Sequence, residues 1–188
     1  MIMFLENTLQ YALEWGDCWH ATLGEIAKWW REKQGFSFSI RSLTSDRWQI
    51  RTQCSERATV MATGAHQRIK HGLDDHGEIL PTDGYVITSP VKPMICIAPD
   101  ASKEVEQFLR TEGFAFERSI HPKHYSLQIR EAGPMNSETK MRLLSTIMAN
   151  PYPCLRFWRW PYGLRFCFAV SGDIDGVDFW DFLERFYG

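Results

Sequence analysis

The chain has 188 residues, which is long enough to bury a sizeable core in one domain or two small ones without stabilisation by disulfides or a bound metal. It is 44% hydrophobic and 23% charged with a net charge of -2, a composition that excludes a disordered chain and a strongly polar one. The 21 basic and 23 acidic residues are interspersed, so no basic stripe indicates binding to nucleic acid.

The cysteines and the first thirteen residues indicate the cellular compartment of the protein. Five cysteines are widely separated and form no CxxC pair, which indicates neither a disulfide framework nor a zinc knuckle. The segment from Met1 to Leu13 carries Glu6, lacks a basic leader and is too short to span a membrane. We therefore expect a cytoplasmic protein without a membrane anchor.

Helical spacing dominates the first 34 residues. Leu5, Leu9, Ala12 and Leu13 predict an amphipathic helix that ends near Gly16. Thr22 and Glu25 then form a capping box for a second helix. The spacing of its large side chains predicts a buried stripe of Leu23, Ile26, Ala27 and Trp30.

The pattern changes to alternation between residues 35 and 98. Phe36, Phe38 and Ile40 alternate with serines, and Trp48, Ile50, Thr52 and Cys54 alternate with polar residues after a turn-like segment. Further short strands are predicted at 58–63, 67–70, 85–88 and 94–97, between Gly, Pro and Asp signals. Several short strands in this spacing favour a small antiparallel sheet or sandwich.

Helices and strands mix between residues 99 and 188. A helix with Val105, Phe108 and Leu109 is expected to end at Gly113, and a later helix is expected to bury its own apolar stripe. That second stripe is predicted from Met141, Leu144, Ile147 and Met148. Strands predicted at 114–118, 125–130 and 164–170 complete an α+β layer that ends in strand, loop and helix.

The sequence thus predicts an α+β fold in three consecutive regions packed as one compact unit. These are N-terminal helices (1–34), an antiparallel β region (35–98) and an α+β region (99–188).

The acidic loop at residues 171–176, near the end of the chain, contains the clearest candidates for catalysis and metal binding. Asp173 and Asp175 lie between the predicted strand at 164–170 and the last helix, where ligands of open α/β sheets commonly bind. Two aspartates one residue apart point to opposite sides of an extended loop, so one can accept a proton from water while the other binds a cation. On the motif alone the commoner explanation is that Asp175 caps the helix and Asp173 closes an Asx-turn, because such capping is routine at helix starts.

The segment around this loop resembles a known family. FWRWPYG at 157–163 and FAVSGDID at 168–175 are similar to a segment of bacterial polysaccharide deacetylase-like proteins of the NodB-homology group. The resemblance covers residues 154–188, and a weaker similarity is present at residues 15–30. It implies that Asp173 is the catalytic base, that Asp175 binds a zinc-like divalent metal, and that the substrate is an N-acetylated sugar whose amide C–N bond is hydrolysed.

The family completes its metal site with two histidines one helical turn apart, and this chain departs from that pattern. No histidine follows Gly176. Upstream, His66 and His71 are five residues apart, and His121 and His124 are three apart with a proline between them, so neither pair has the spacing of one helical face. The chain is then expected to correspond to the carboxyl-terminal part of a larger deacetylase-like protein.

Aromatic residues suggest a second interpretation. Trp158 and Trp160 alternate with Arg156 and Arg159 in an extended segment, which makes them candidates for stacking on sugar rings, although most buried tryptophans serve packing. The alternative function is a noncatalytic carbohydrate-binding or protein-interaction domain. The expected partners are a carbohydrate, a separate catalytic domain or a second copy of the chain, with neither nucleic acid nor a membrane.

Overall fold

A computed structural model gives the fold and describes residues 10, 11, 14, 16–64, 77–82 and 84–169. Within these residues the chain has an α+β fold with three helices and mixed sheets, as the sequence predicts. The first predicted helix falls largely outside the described residues, although Gln10, Tyr11 and Glu14 are helical. The acidic loop and the last predicted helix also lie outside them.

The regular elements follow one another with short connections. The helices are α1 (Leu23–Lys33), α2 (Lys103–Glu112) and α3 (Ser137–Met148). The strands are β1 (Cys18–His20), β2 (Ser37–Ser42), β3 (Arg47–Gln53), β4 (Val60–Thr63), β5 (Gly77–Leu80), β6 (Tyr85–Thr88), β7 (Lys92–Ile97), β8 (Phe116–Arg118), β9 (Tyr125–Ile129), β10 (Cys154–Phe157) and β11 (Phe166–Phe168).

Helix α1 begins as predicted but buries a different face. The Oγ1 of Thr22 accepts a hydrogen bond from the backbone N–H of Glu25, and the Glu25 carboxylate accepts one from the backbone N–H of Thr22. The predicted buried stripe is wrong, because Trp29 and Lys33 are the buried residues of α1 while Leu23 is exposed. The helix is turned so that Trp29 enters an aromatic cluster beneath it.

Helices α2 and α3 cover one face of a parallel sheet. The order of this sheet is β8-β7-β9, and β7 pairs with both neighbours in parallel. Ile95 and Ile97 of β7 share one core cluster with the buried residues of both helices, whereas Met94 belongs to another cluster, as alternation along a strand requires. Strand β7 is therefore not part of an antiparallel region, contrary to the expectation for residues 35–98.

The ends and faces of these two helices follow the prediction in part. Gly113 ends α2 with a φ of 85°, the left-handed conformation that glycine adopts without steric cost. In α3 the side chain of Asn136 caps the backbone N–H of Thr139. Helix α3 buries Leu143 and Ile147, so the predicted inward position of Met141 is wrong: that side chain is exposed.

Two antiparallel sheets form the other side of the molecule. One has the order β2-β3-β6 and the other β10-β4-β5. Ile50, Ala62, Ile87 and Leu155 pack with Met94 between these sheets and the parallel sheet. The middle of the chain thus supplies the antiparallel pairing that its alternating sequence predicts.

Strand β10 connects the predicted β and α+β regions through backbone hydrogen bonds. On one side it pairs with β4. On the other side the N–H of Ala115 donates to the carbonyl of Leu155, and the N–H of Phe157 donates to the carbonyl of Gly113, both at 2.8 Å. The strand pairing therefore crosses the boundaries of the three consecutive regions.

The last described strand is shorter and more exposed than predicted. Strand β11 covers Phe166–Phe168 instead of 164–170, and Phe166 is exposed. Among the described residues it pairs with β1 alone, in parallel, in the register Cys18 to Phe166 and His20 to Phe168.

Candidate functional site

The parallel pair β1–β11 lies on the chain just before the acidic loop. Asp173 is the fifth residue after Phe168, with which β11 ends. His20 ends β1 directly beside Phe168, and the two rings are 6.3 Å apart. Asp173 and Asp175 themselves lie outside the described residues. Nothing in the sequence around His20 predicts that its strand pairs with β11.

The two stretches that carry the family resemblance meet in one structural unit. Besides the β1–β11 pairing, the backbone N–H of Arg165 donates to the carbonyl of Asp17 at 2.8 Å. The indole N–H of Trp29 donates to the carbonyl of Arg159 at 2.9 Å. Residues 17–29 and 159–168 are therefore joined by backbone and side-chain hydrogen bonds although they are distant in sequence.

Trp29 is the centre of the aromatic cluster at this junction. Its side chain is fully buried, and its ring meets those of Trp19 at 6.5 Å and Phe36 at 5.6 Å, both edge to face. The Arg57 guanidinium lies 5.4 Å from the ring centre. Since the indole N–H is also bonded, Trp29 has a packing role, as the sequence indicates for this residue.

Trp160 lies at the edge of the same cluster and is half-buried. Its ring contacts Trp30 at 5.8 Å and Trp19 at 6.1 Å. The Arg159 guanidinium lies 5.8 Å from the Trp160 ring and 5.9 Å from the Trp30 ring. An aromatic ring that is held by its neighbours and partly open to solvent, next to a charged donor, has the features needed to stack on a sugar.

Trp158 is also half-buried, but its polar atom serves the fold. The indole N–H donates to the carbonyl of Leu164 at 2.7 Å. The Arg156 guanidinium lies 5.1 Å from the ring centre and covers part of it. Trp158 therefore holds the following turn in place. It offers less free surface for a ligand than its alternation with arginine residues in the sequence predicts.

Tyr162 is an aromatic residue of this segment that sequence reasoning missed. Its side chain is exposed, and its φ of 57° is the only positive value at a non-glycine residue among the described residues. The left-handed conformation costs roughly 1 kcal/mol or more in a residue with a Cβ atom. Its backbone N–H donates to the carbonyl of Arg57 at 2.7 Å, which stabilises the turn.

A cluster of charges lies beneath these aromatic residues. The Glu112 carboxylate is 3.8 Å from the Arg156 guanidinium and 3.5 Å from that of Arg159. Lys33 extends from the last turn of α1 with its Nζ 5.1 Å from the centre of the Trp30 ring. Among the described residues two arginines thus share the Glu112 carboxylate, to which Lys33 is also attracted without forming an ion pair.

Lys33 is the unusual member of this cluster. Its side chain is 7% exposed, and its Nζ has no hydrogen-bond partner among the described residues. Burial lowers its pKa to about 7, with repulsion from Arg156 and Arg159 in the same direction and attraction to Glu112 opposing them. A lysine near the end of an amphipathic helix is usually solvated, so the sequence carries no signal for this burial.

A metal site cannot be completed from the described residues alone. They contain no group of three or more histidine, cysteine, aspartate or glutamate side chains that could hold a metal ion. His121 precedes and His124 ends a short turn of 3-10 helix, and both are exposed. A metal bound by Asp175 would need further ligands, and His20 is the described imidazole next to the strand that leads to the acidic loop.

Comparison with protein-family models, with curated proteins and with solved structures gives no match. In the part of the chain that the structure describes, no helix has the length and apolar character needed to cross a membrane.

Proposed function

We propose that this chain is a polysaccharide deacetylase-like protein, related to hydrolases that act on the amide C–N bond of N-acetylated sugars. The sequence resemblance at 154–188 suggests the class. The observation that supports it is the junction of residues 17–29 with 159–168, because both resembling stretches contribute to one unit. In this proposal Asp173 is the base and Asp175 a ligand of a zinc-like metal.

The position of β11 is compatible with this chemistry. A hydrolytic metal site needs a base, a metal and ligands from more than one segment. The acidic loop follows β11, and β1 brings His20 to the carboxyl end of the same pair. Loops beyond the carboxyl ends of parallel strands commonly form binding sites. The five cysteines, all free thiols in the structure, support a reducing compartment such as the cytoplasm.

Two aspartate variants separate the proposed roles. We expect Asp175→Asn to abolish zinc binding and acetate release from an N-acetylated chitooligosaccharide, because an amide is a much poorer zinc ligand than a carboxylate. Asp173→Asn is expected to retain zinc and lose acetate release, because it removes the base. Zinc is measured by calorimetry and acetate by an enzymatic assay.

Asp178→Asn is the matched control, since Asp178 lies in the same tail and has no role in the proposal. It should behave like the wild-type chain in both assays. If Asp175→Ala only lowers the free energy of unfolding by about 1 kcal/mol, with zinc affinity unchanged, Asp175 is a helix cap and the proposed metal role is wrong.

A second candidate is a noncatalytic carbohydrate-binding domain, which packs in a larger deacetylase or beside a separate catalytic domain. The half-buried Trp160, held against Trp30 and Trp19 beside Arg159, favours it. This candidate does not require a complete metal site in the chain.

Substitution of Trp160 tests the carbohydrate surface. We expect chitotetraose to quench the intrinsic fluorescence of the wild-type chain, and Trp160→Ala to weaken binding at least about tenfold, because stacking on an aromatic ring is lost. Trp48→Ala is the control, since Trp48 is half-buried in a different core cluster. An equal loss of affinity in both variants, or no response of the wild type to the sugar, would contradict the binding surface.

A further inference from the structure

A cleft beside Lys33 has no role in the proposed function. It lies at the carboxyl end of α1, between the start of β2 and the segment 113–116, and has a volume of about 210 Å³. Drug-sized ligands occupy cavities of about 300 to 1,000 Å³, so this cleft suits a single ring or a short chain.

The cleft combines apolar residues with polar ones, two of them basic. Its walls include the side chains of Phe36, Phe38, Met94, Phe116 and Phe157. Lys33 and Arg110 are its basic residues, and among the described residues no aspartate or glutamate lines it. A ligand with a negative charge on an apolar or ring-shaped body would therefore meet both complementary charge and complementary surface.

Lys33 supplies the independent observation that indicates a ligand. A buried amino group without a hydrogen-bond partner costs free energy, and native proteins rarely leave such a group unsatisfied. The Nζ lies 3.3 Å from the point at which a Cβ atom on Gly113 would stand, and Gly113 also lines the cleft. The Nζ is shielded from solvent, so a ligand oxygen at this wall would become the missing acceptor once the flexible lysine side chain turns toward the cleft.

The surroundings of Lys33 favour an anion over a neutral acceptor. Arg156 and Arg159 repel its charged form, and the single carboxylate of Glu112 is shared between these two arginines. A carboxylate in the cleft would balance the excess positive charge and make a charge-assisted hydrogen bond to Nζ.

We propose that the cleft between α1, β2 and the segment 113–116 binds a small carboxylate with a single-ring body, through Lys33 and Arg110. This inference does not depend on the proposed deacetylase or carbohydrate function. Because burial lowers the pKa of the free amino group to about 7 and a bound carboxylate would hold it protonated, binding takes up a proton above about pH 7.

The test is a calorimetric titration of the full chain with benzoate, glucuronate and the neutral amide benzamide. We expect one of the two carboxylates to bind and benzamide to bind at least about tenfold more weakly, because it lacks the charge. The stronger carboxylate identifies an aromatic or a sugar-acid body. Binding of benzamide as tight as that of benzoate, or no binding of either carboxylate at millimolar concentration, would overturn the proposal.

Two variants and a second measurement locate the site. Lys33→Met is expected to weaken carboxylate binding at least about tenfold, whereas Lys28→Met, an exposed lysine of the same helix, should leave it within about twofold. For the wild-type chain, heats at pH 8 in buffers of different ionisation enthalpy should reveal proton uptake. Unchanged affinity in Lys33→Met, or no proton uptake in the wild type, would exclude Lys33 as the binding group.

Discussion

Replacement of Trp29 by alanine is expected to lower the free energy of unfolding by about 3 to 5 kcal/mol, the usual cost of removing a fully buried tryptophan. The variant loses ring contacts with Trp19 and Phe36 and leaves a cavity under α1. It also removes the donor that bonds the carbonyl of Arg159. The free energy is measured by urea unfolding, followed by circular dichroism.

The matched control for this prediction is Trp30→Ala, the adjacent residue in the same helix. Trp30 is half-buried, so its loss should cost clearly less. Trp29→Phe separates the hydrogen bond from the packing, and the lost bond should account for about 1 kcal/mol. A cost for Trp29→Ala no greater than for Trp30→Ala would show that α1 does not join the terminal segment through Trp29.

Replacement of Lys33 by methionine is expected to stabilise the protein most at low pH. The pKa of Lys33 is lowered from 10.5 to about 7 by burial, so the unfolded chain binds a proton that the folded chain lacks between these values. The free energy of unfolding of the wild type should therefore rise with pH in this interval, by up to about 1.4 kcal/mol per pH unit. Below pH 7 both states are protonated, and the full cost of the buried charge remains.

The measurable quantity is the stability difference between Lys33→Met and the wild type. We expect it to shrink by about 2 kcal/mol between pH 6 and pH 8.5, because only the wild type gains stability from deprotonation of residue 33. Lys28→Met should follow the wild type at every pH. A difference that does not change with pH would contradict a buried, titrating Lys33.

The pH dependence of the wild type alone is followed only to pH 8.5, because thiols contribute in the opposite direction above that value; they cancel in the difference between the two proteins. Burial raises the pKa of four cysteines, so these thiols stay protonated in the folded chain when they ionise in the unfolded one. Their contribution to stability is present below pH 8.5 and is lost as the pH rises further. They are Cys18, Cys96, Cys154 and Cys167.

Local sequence rules predicted the features that depend on neighbouring residues. The capping box of Thr22 and Glu25 and the left-handed C-cap at Gly113 are present because each depends on hydrogen bonds within a few residues. The alternation at 36–40 and 48–54 likewise gave β2 and β3, since one face of each strand packs against the core, with Phe38, Ile40 and Trp48 partly buried.

Features that depend on distant segments were not predictable in this way. The sequence around Cys18 gives no sign that three residues will form a strand, because the partner that defines β1 is near the other end of the chain. The buried face of α1 was assigned wrongly for a similar reason. Trp29 and Trp30 are equally apolar, and the carbonyl of Arg159, which bonds only Trp29, decides between them.

In the candidate site, too, local sequence predicted some features, whereas others depend on distant segments. Aromatic alternation singled out Trp158 and Trp160, but the hydrogen bond that ties Trp158 to Leu164 depends on the fold of the following turn. Burial of Lys33 required the meeting of α1 with Glu112 and Arg156, which no local pattern encodes. Asp173 and Asp175 lie outside the described residues, so their roles stay predictions.

The central claim is that the acidic loop after β11 belongs to a hydrolytic metal centre. Its most direct test is a calorimetric titration of the wild-type chain with zinc, with Asp175→Asn in parallel. The account predicts saturable binding by the wild type that disappears in the variant. Absence of zinc binding by the wild type, or equal affinity in the variant, would contradict it.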